Sequence, residues 1–363
     1  MIMKRMEADM EQTERFKEMQ RRMEPIRRIF GPESHKAVAI YEECVDYPME
    51  DVLELNAIGQ SIMSSDSEDP GLKDKVAHFA EVRDAILAKR PAPEDRKKKI
   101  PLWPKGKIPC LTEYTDNSSF RYHHDPDFVP YMYEMLVSED VTPKGAIVVC
   151  PGGDHAEAVL HEGYQVCLDM NELGYQCFFL LNRPNMMPWS GLEAGTDAAR
   201  AIRYVRANAA KYRIPADRVA FAGFSNGGLT GEQCVQYNSG DQTVAEHFPG
   251  YEPDELDKYY GAPDALLCVY GPRWAGGSFD YSRVKYPPVF FAVGREDTAM
   301  DNLHFVYPEL LAHGVTLEVH TFAGTPHGQA GAKLYHGGIS QYPNFDMWEP
   351  LADMFLDDVY AKR

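Results

Sequence analysis

Gly223-Phe224-Ser225-Asn226-Gly227 fits the pattern GxSxG. It follows directly on the apolar run Val219-Ala220-Phe221-Ala222 and leads into a stretch compatible with helix. A serine between a strand and a helix stands on a sharp, strained corner that presents its hydroxyl, and the flanking glycines let other backbone approach closely. The positive end of the following helix lies where negative charge would develop during attack on a carbonyl. The chemistry this pattern offers is nucleophilic attack by Ser225.

A serine hydroxyl is a weak nucleophile until a base takes its proton, and the base is itself held by an acid. For a serine in this context the order along the chain is nucleophile, acid, histidine. Downstream lie His304, His313, His320, His327 and His336. His304 and His313 fall in a predicted helix and His320 in a predicted strand. His327 sits in the loop Gly324-Thr325-Pro326-His327-Gly328 just after the last strand, which makes it the base, with His336 as the fallback. The acid belongs in the loop after the apolar run 288–293, at a strand's carboxyl end, where ligand-binding and catalytic groups gather in open α/β sheets. Asp297 is the candidate there. Glu296 and Asp301 are its neighbours, and Asp301 is expected to cap the next helix.

The negative charge of a tetrahedral intermediate needs donors placed in advance. One is the backbone N–H of Asn226, directly after the nucleophile. The other is expected from the glycine pair in Pro151-Gly152-Gly153-Asp154-His155, after the apolar run 145–150. It is assigned to Gly153, with Asp154 as the alternative. His155, Trp189, Arg273 and Trp274 fall in loops expected at the same sheet edge. Together with Met186 and Met187 they are candidates to line a substrate pocket, although loop packing explains such residues nearly as well. Three adjacent residues cannot all point at one ion, so His123-His124-Asp125 reads as a polar loop and not as a metal site.

The elements that must position these groups are legible from about residue 108 onward as short apolar runs alternating with helical stretches. Strands are predicted at 108–115, 129–137, 145–150, 175–181, 218–223, 265–270, 288–293 and 315–322. Helices are predicted near 160–173, 193–212, 226–238, 301–313 and 345–361. Continuous apolar strands separated by amphipathic helices predict a mostly parallel sheet covered on both faces.

Residues 1–98 read as a helical N-terminal extension to a catalytic domain over 99–363. Met3, Met6, Met10, Phe16, Met19 and Met23 form an amphipathic stripe suited to an adaptable contact. That contact is either with its own domain or, as an arm, with a second subunit in a homodimer. A second helix is predicted from Leu72, Val76, Phe79, Ile86 and Leu87, ending before Arg90-Pro91.

The formal net charge is −18, and it is uneven. Residues 1–100 hold 18 Lys+Arg against 21 Asp+Glu, and the remainder 19 against 34. A body that acidic repels nucleic acid and anionic membrane surfaces and suits a neutral or cationic small-molecule substrate. The one basic run, Arg96-Lys97-Lys98-Lys99, reads as a solvated linker. No apolar stretch has signal-peptide or membrane-span length, and the seven cysteines include no CxxC pair. These features predict buried, reduced thiols and a cytoplasmic location.

Taken together, several motifs resemble α/β-hydrolases of the acetylxylan-esterase and feruloyl-esterase-like group. They are Cys150-Pro151-Gly152-Gly153-Asp154, His161-Glu162-Gly163, Asp197 with Ala201-Ile202-Arg203, Gly223 to Gly228, Gly294-Arg295-Glu296-Asp297 and Pro326-His327-Gly328. The resemblance covers roughly residues 101–358 and includes Leu102-Trp103-Pro104. It implies the α/β-hydrolase fold and serine hydrolysis of acetyl or other small acyl groups on carbohydrates, without a metal or other cofactor. Two departures touch the oxyanion region: Asp154 stands where a third glycine is usual, and Asn226 where alanine is usual. The same triad also serves peptidases and lactone hydrolases, and a non-catalytic binding protein on this scaffold would show a broken constellation.

Overall fold

The computed structural model describes residues 34–65, 69–111, 128–153, 159–185, 190–273 and 281–362. The methionine stripe before residue 24, His123-His124-Asp125, Asp154, His155, Met186, Met187, Trp189 and Trp274 lie outside the described residues. The chain divides into two compact units, with a division between Lys98 and Lys99 and the second unit holding residues 99–113 and 129–363.

In the first unit the described helices are α1 (Ser34–Glu42), α2 (Met49–Met63) and α3 (Leu72–Ala88). Phe79, Arg83 and Ile86 recur at helical spacing and form the buried face of α3, while Leu72, Val76 and Leu87 are only half-buried. The helix ends at Ala88, ahead of Pro91, because a proline disfavours helical geometry in the residue before it and lacks an N–H to continue the ladder. Ile40, Val52, Leu55 and Ile62 are buried from the other two helices.

The second unit is built on one eight-stranded sheet. Its strands are β1 (Lys99–Pro101), β2 (Tyr131–Met135), β3 (Gly145–Cys150), β4 (Tyr175–Leu181), β5 (Val219–Phe224), β6 (Ala265–Val269), β7 (Val289–Gly294) and β8 (Leu317–Phe322). They lie in the order β1-β2-β4-β3-β5-β6-β7-β8. β2 runs antiparallel to both neighbours, and all other pairs are parallel. Every residue of β3 to β7 is buried. Side chains alternate between the two faces of a strand, so both faces of the sheet's centre are covered.

The covering helices are α4 (Val166–Glu172, entered through a π-helical turn at Val159–Gln165), α5 (Gly191–Ala207), α6 (Asn226–Asn238), a short α7 (Val244–His247), α8 (Ala299–Ala312) and α9 (Trp348–Ala361). α5 and α6 pack together and against β3 and β5, α4 against β2 and β4, α8 against β7 and β8, and α9 against β6 and β7.

Three expectations need correction. No strand starts at 108; the first is Lys99–Pro101, so Lys99 is not linker but the start of β1, with its ammonium 4.5 Å from the Tyr131 ring. Residues 108–111 instead run as irregular chain whose Pro109 carbonyl and Leu111 N–H bond Arg183 and Glu193. Asp301 does not cap α8; Thr298 holds that position, and Asp301 lies exposed in the first turn, where its charge suits the helix dipole. Six cysteines are buried, but Cys110 is exposed, with its thiol 3.1 Å from Glu193 Oε1. Among the described residues no helix is long and apolar enough to cross a membrane.

A buried ion pair fixes the chain just after β4. The Arg183 guanidinium grips Asp197 of α5 through Nε (2.9 Å) and Nη2 (2.8 Å) while its Nη1 donates to the Pro109 carbonyl, and the Trp103 indole N–H donates to the same Asp197 (2.7 Å). Removing one partner of such a pair strands the other charge in the interior. Asp197→Ala is therefore expected to destabilise the fold by about 3–5 kcal/mol, read as a fall in the urea midpoint. A loss of a few tenths of that size would show the pair to be replaceable by water.

Candidate active site

The strand register brings the chemistry to one edge. Cys150, Gly223, Cys268 and Phe291 stand side by side across β3, β5, β6 and β7, so the loops leaving these strands emerge together at the carboxyl edge. Ser225 follows β5 with φ 51° and ψ −119°, a left-handed strain for a residue with a side chain, and α6 begins at the next residue. The turn closes this tightly because its flanks have no Cβ: one on Gly223 would lie 2.2 Å from the Gly227 carbonyl oxygen, and one on Gly227 would lie 2.1 Å from that of Cys150. The Ser225 N–H is held by the Val269 carbonyl of β6 at 3.1 Å.

His327 comes from the loop after β8. Its Nε2 is 2.8 Å from Ser225 Oγ and its Nδ1 is 2.7 Å from Asp297 Oδ2. Asp297 is buried in the turn after β7, and its other oxygen accepts the Ala299 N–H at 2.8 Å. Its neighbour Glu296 is exposed, as is the fallback histidine, His336, whose Nδ1 lies 3.4 Å from Gln341 Nε2. The three residues selected from sequence therefore meet in one hydrogen-bonded line. Burial works against a charged His327, but the hydrogen bond and charge of Asp297, with Glu162 beyond, outweigh it and hold the imidazole above its usual range. Ser225 can lose its proton to Nε2, and the imidazolium so formed stays paired with a carboxylate.

The glycine loop after β3 lies against Ser225: a Cβ on Gly152 would fall 2.6 Å from the Ser225 Cβ. Gly153 takes the left-handed conformation at φ 62°. The side chain of Asn226 reaches across, its Nδ2 3.3 Å from the Gly153 carbonyl. The departure from alanine at this position thus supplies a tie between the start of α6 and the loop assigned the second oxyanion donor.

Arg273 follows β6 and is buried. Its Nη2 lies 2.6 Å from Glu309 and 3.2 Å from the Tyr281 hydroxyl, its Nε lies 3.3 Å from Glu232, and its backbone N–H donates to Glu232. The guanidinium expected to face substrate is turned into this carboxylate network.

Two residues to which the sequence assigns no role border this site. Glu162, in the π-helical turn, is buried and accepts the Gly152 N–H at 2.7 Å, and the buried Tyr270 hydroxyl donates to it at 2.8 Å. The Tyr270 ring lies edge-on to His327, with centroids 4.9 Å apart. The His161-Glu162-Gly163 motif was the available signal for Glu162; a tyrosine ending an apolar strand gave none for Tyr270. Among the described residues no group of His, Cys, Asp and Glu is arranged to hold a metal.

No protein-family model matches the chain. A curated relative, endo-1,4-beta-xylanase B of Butyrivibrio fibrisolvens, is 25% identical over 217 residues, covering 59% of this chain and 30% of its own length. The chain thus spans about three-tenths of that relative. Among solved structures, the acetyl ester-xyloside bifunctional hydrolase from Caldicellulosiruptor lactoaceticus superposes with a TM-score of 0.55 at 24% identity, covering 73% of this chain and 97% of its own. A propionate-bound thermophilic esterase from the planctomycete Thermogutta terrifontis superposes at 0.50 with 15% identity, covering 74% and 96%. At these identities the likeness is one of fold.

Proposed function

We propose that this chain, which has the α/β-hydrolase fold, is a serine carboxylic-ester hydrolase that removes a small acyl group, acetyl first among them, from an oligosaccharide or related small ester. The observation that carries the reading is the unbroken line Asp297–His327–Ser225, with separations of 2.7 and 2.8 Å. Ser225 Oγ attacks the ester carbonyl carbon as its proton passes to His327 Nε2. The backbone N–H groups of Gly153 and Asn226 receive the oxyanion. His327 then gives its proton to the leaving alcohol, and an acyl-Ser225 ester remains. Water, deprotonated by His327, attacks that ester, and His327 returns the proton to Ser225 Oγ as the acid departs, which restores the free serine and the neutral imidazole.

The choice of substrate class has separate support. The related proteins include one named as a xylanase and one named as an acetyl ester-xyloside hydrolase, and another was solved with propionate. A body of net charge −15 also suits an uncharged sugar ester over an anionic polymer. With all seven cysteines free, work in a reducing compartment fits as well.

The test is a panel of acetylated xylo-oligosaccharides and p-nitrophenyl esters of increasing chain length, with a lactone and a peptide anilide alongside. kcat/KM is expected to peak at the two-carbon acyl group and to fall at longer chains. A peak at octanoyl or beyond contradicts the acetyl reading, and a preference for the lactone or the anilide moves the triad to those substrates.

A further inference from the structure

One buried carboxylate joins the two loops that the proposed chemistry must hold in register. Glu162 lies on the π-helical turn Val159–Gln165, a form that recurs at functional sites because it re-aims side chains within a helix. Its Oε2 takes the Gly152 N–H at 2.7 Å, which fixes the Pro151–Gly152 peptide, one ahead of the peptide that carries the Gly153 N–H. Its Oε1 takes the Tyr270 O–H at 2.8 Å. The Tyr270 oxygen in turn accepts the N–H of buried Ala330, three residues after His327, at 3.3 Å. Tyr270 stands at the end of β6 with φ 39°, a strained conformation for a tyrosine, and its ring packs edge-on against the His327 imidazole.

We propose that Glu162 and Tyr270 are positioning residues that lock the oxyanion loop and the histidine loop into one geometry, Glu162 holding Gly152 while Tyr270 holds Ala330 and the face of His327. The proposal rests on the serine-hydrolase reading above. It explains why a charged residue is kept inside the molecule: each of its two oxygens has a donor, and each donor belongs to, or leads to, a loop at the active site. An amide in its place has one acceptor oxygen, so if Gly152 keeps it the Tyr270 hydroxyl faces an NH₂ and loses the acceptor for its proton, and if Tyr270 keeps it the Gly152 N–H faces another donor.

The charge has a second consequence. The groups facing His327 are Ser225, Asp297 and the Tyr270 ring, with Glu162 acting from beyond. Those facing Glu162 are the Gly152 N–H, the Tyr270 hydroxyl and His161, whose Nε2 is 3.9 Å away and whose Nδ1 is 3.0 Å from the Tyr335 hydroxyl. Burial first, and then the Glu162 charge, push the Tyr270 phenol well above its ordinary range, so it remains a donor. Glu162 also favours the protonated form of His327. Removing its charge should therefore move the acid limb of kcat/KM to lower pH.

Glu162→Gln and Tyr270→Phe test this, both being close to the native side chains in volume. Each is expected to lower kcat on p-nitrophenyl acetate by about 10- to 100-fold with KM within about threefold, as for a small misplacement of reacting groups. In Glu162→Gln the acid limb should also shift down, whereas a residue that only supports the fold would leave it in place. Wild-type kcat in both variants, or a loss in kcat with an unmoved acid limb in Glu162→Gln and a raised KM in both, overturns the assignment. If Glu162→Gln fails to fold, the kcat and KM of Tyr270→Phe decide alone. Labelling by a fluorophosphonate keeps the two levels apart: if wild-type Ser225 reacts while both variants retain full kcat, only the present inference fails; if Ser225 does not react, the reading beneath it fails.

Discussion

Ser225→Ala and His327→Ala are each expected to lower kcat by about 10⁵- to 10⁶-fold, and the double variant to be little worse than either. The non-additivity follows from the geometry. With Ser225 Oγ 2.8 Å from His327 Nε2, the hydroxyl and the imidazole perform one act, the transfer of a single proton as one bond forms. Either deletion abolishes that act, and the second has nothing left to remove. What remains in both is the oxyanion site and substrate binding. Ser225 and His327 are at most partly buried, so neither change opens a large cavity and the thermal midpoint should move little. Strictly additive losses, or activity retained in Ser225→Ala, would mean that the two side chains do not share a step. Steady-state kinetics on p-nitrophenyl acetate with the four proteins gives the answer.

Asp297→Asn is expected to cost about 10⁴-fold in kcat. One Asp297 oxygen accepts the Ala299 N–H, so an asparagine keeps its carbonyl oxygen there and turns its NH₂ toward His327 Nδ1. That nitrogen must then accept instead of donate. The proton moves to Nε2, and the imidazole faces Ser225 with a donor where an acceptor is needed. The variant should fold, bind substrate with nearly unchanged KM and turn over slowly. Asp301→Asn, at an exposed position in the first turn of α8, should be close to wild type. If Asp301→Asn is instead the crippling change, the acid has been misassigned.

The fold and the central constellation were legible in the sequence for a common physical reason. A strand buried on both faces must be apolar at every position, so β3 to β7 appear as uninterrupted apolar runs, and their carboxyl ends mark where loops with functional groups must lie. Ser225 was marked by the glycines its turn requires, and His327 by being the histidine outside any regular element just after the last strand. β1 was missed because Lys99-Ile100-Pro101 is only three residues long, buries only Ile100 and borders a basic run, so it carries no periodic signal. Arg273 illustrates a different difficulty. Its place in the chain, after a central strand, is that of a substrate contact, and only the three-dimensional arrangement reveals that Glu232 and Glu309 take up its charge. Glu162 and Tyr270 were obscured for the same reason, since their partners lie 10 and 108 residues away along the chain. Polar networks of this kind leave no pattern in spacing, because each member is chosen by a neighbour that the fold supplies.

The proposed chemistry requires Ser225 to be an activated nucleophile. A fluorophosphonate reacts with a serine only where a base removes the proton and donors stabilise the oxygen on phosphorus, so labelling followed by peptide mapping in a mass spectrometer tests it most directly. One adduct per chain is expected, on the peptide that carries Ser225, with esterase activity falling in proportion to labelling and no adduct in Ser225→Ala. Esterase activity that survives the reagent with Ser225 unlabelled, or activity lost through an adduct at another residue, would mean that Ser225 is not the nucleophile.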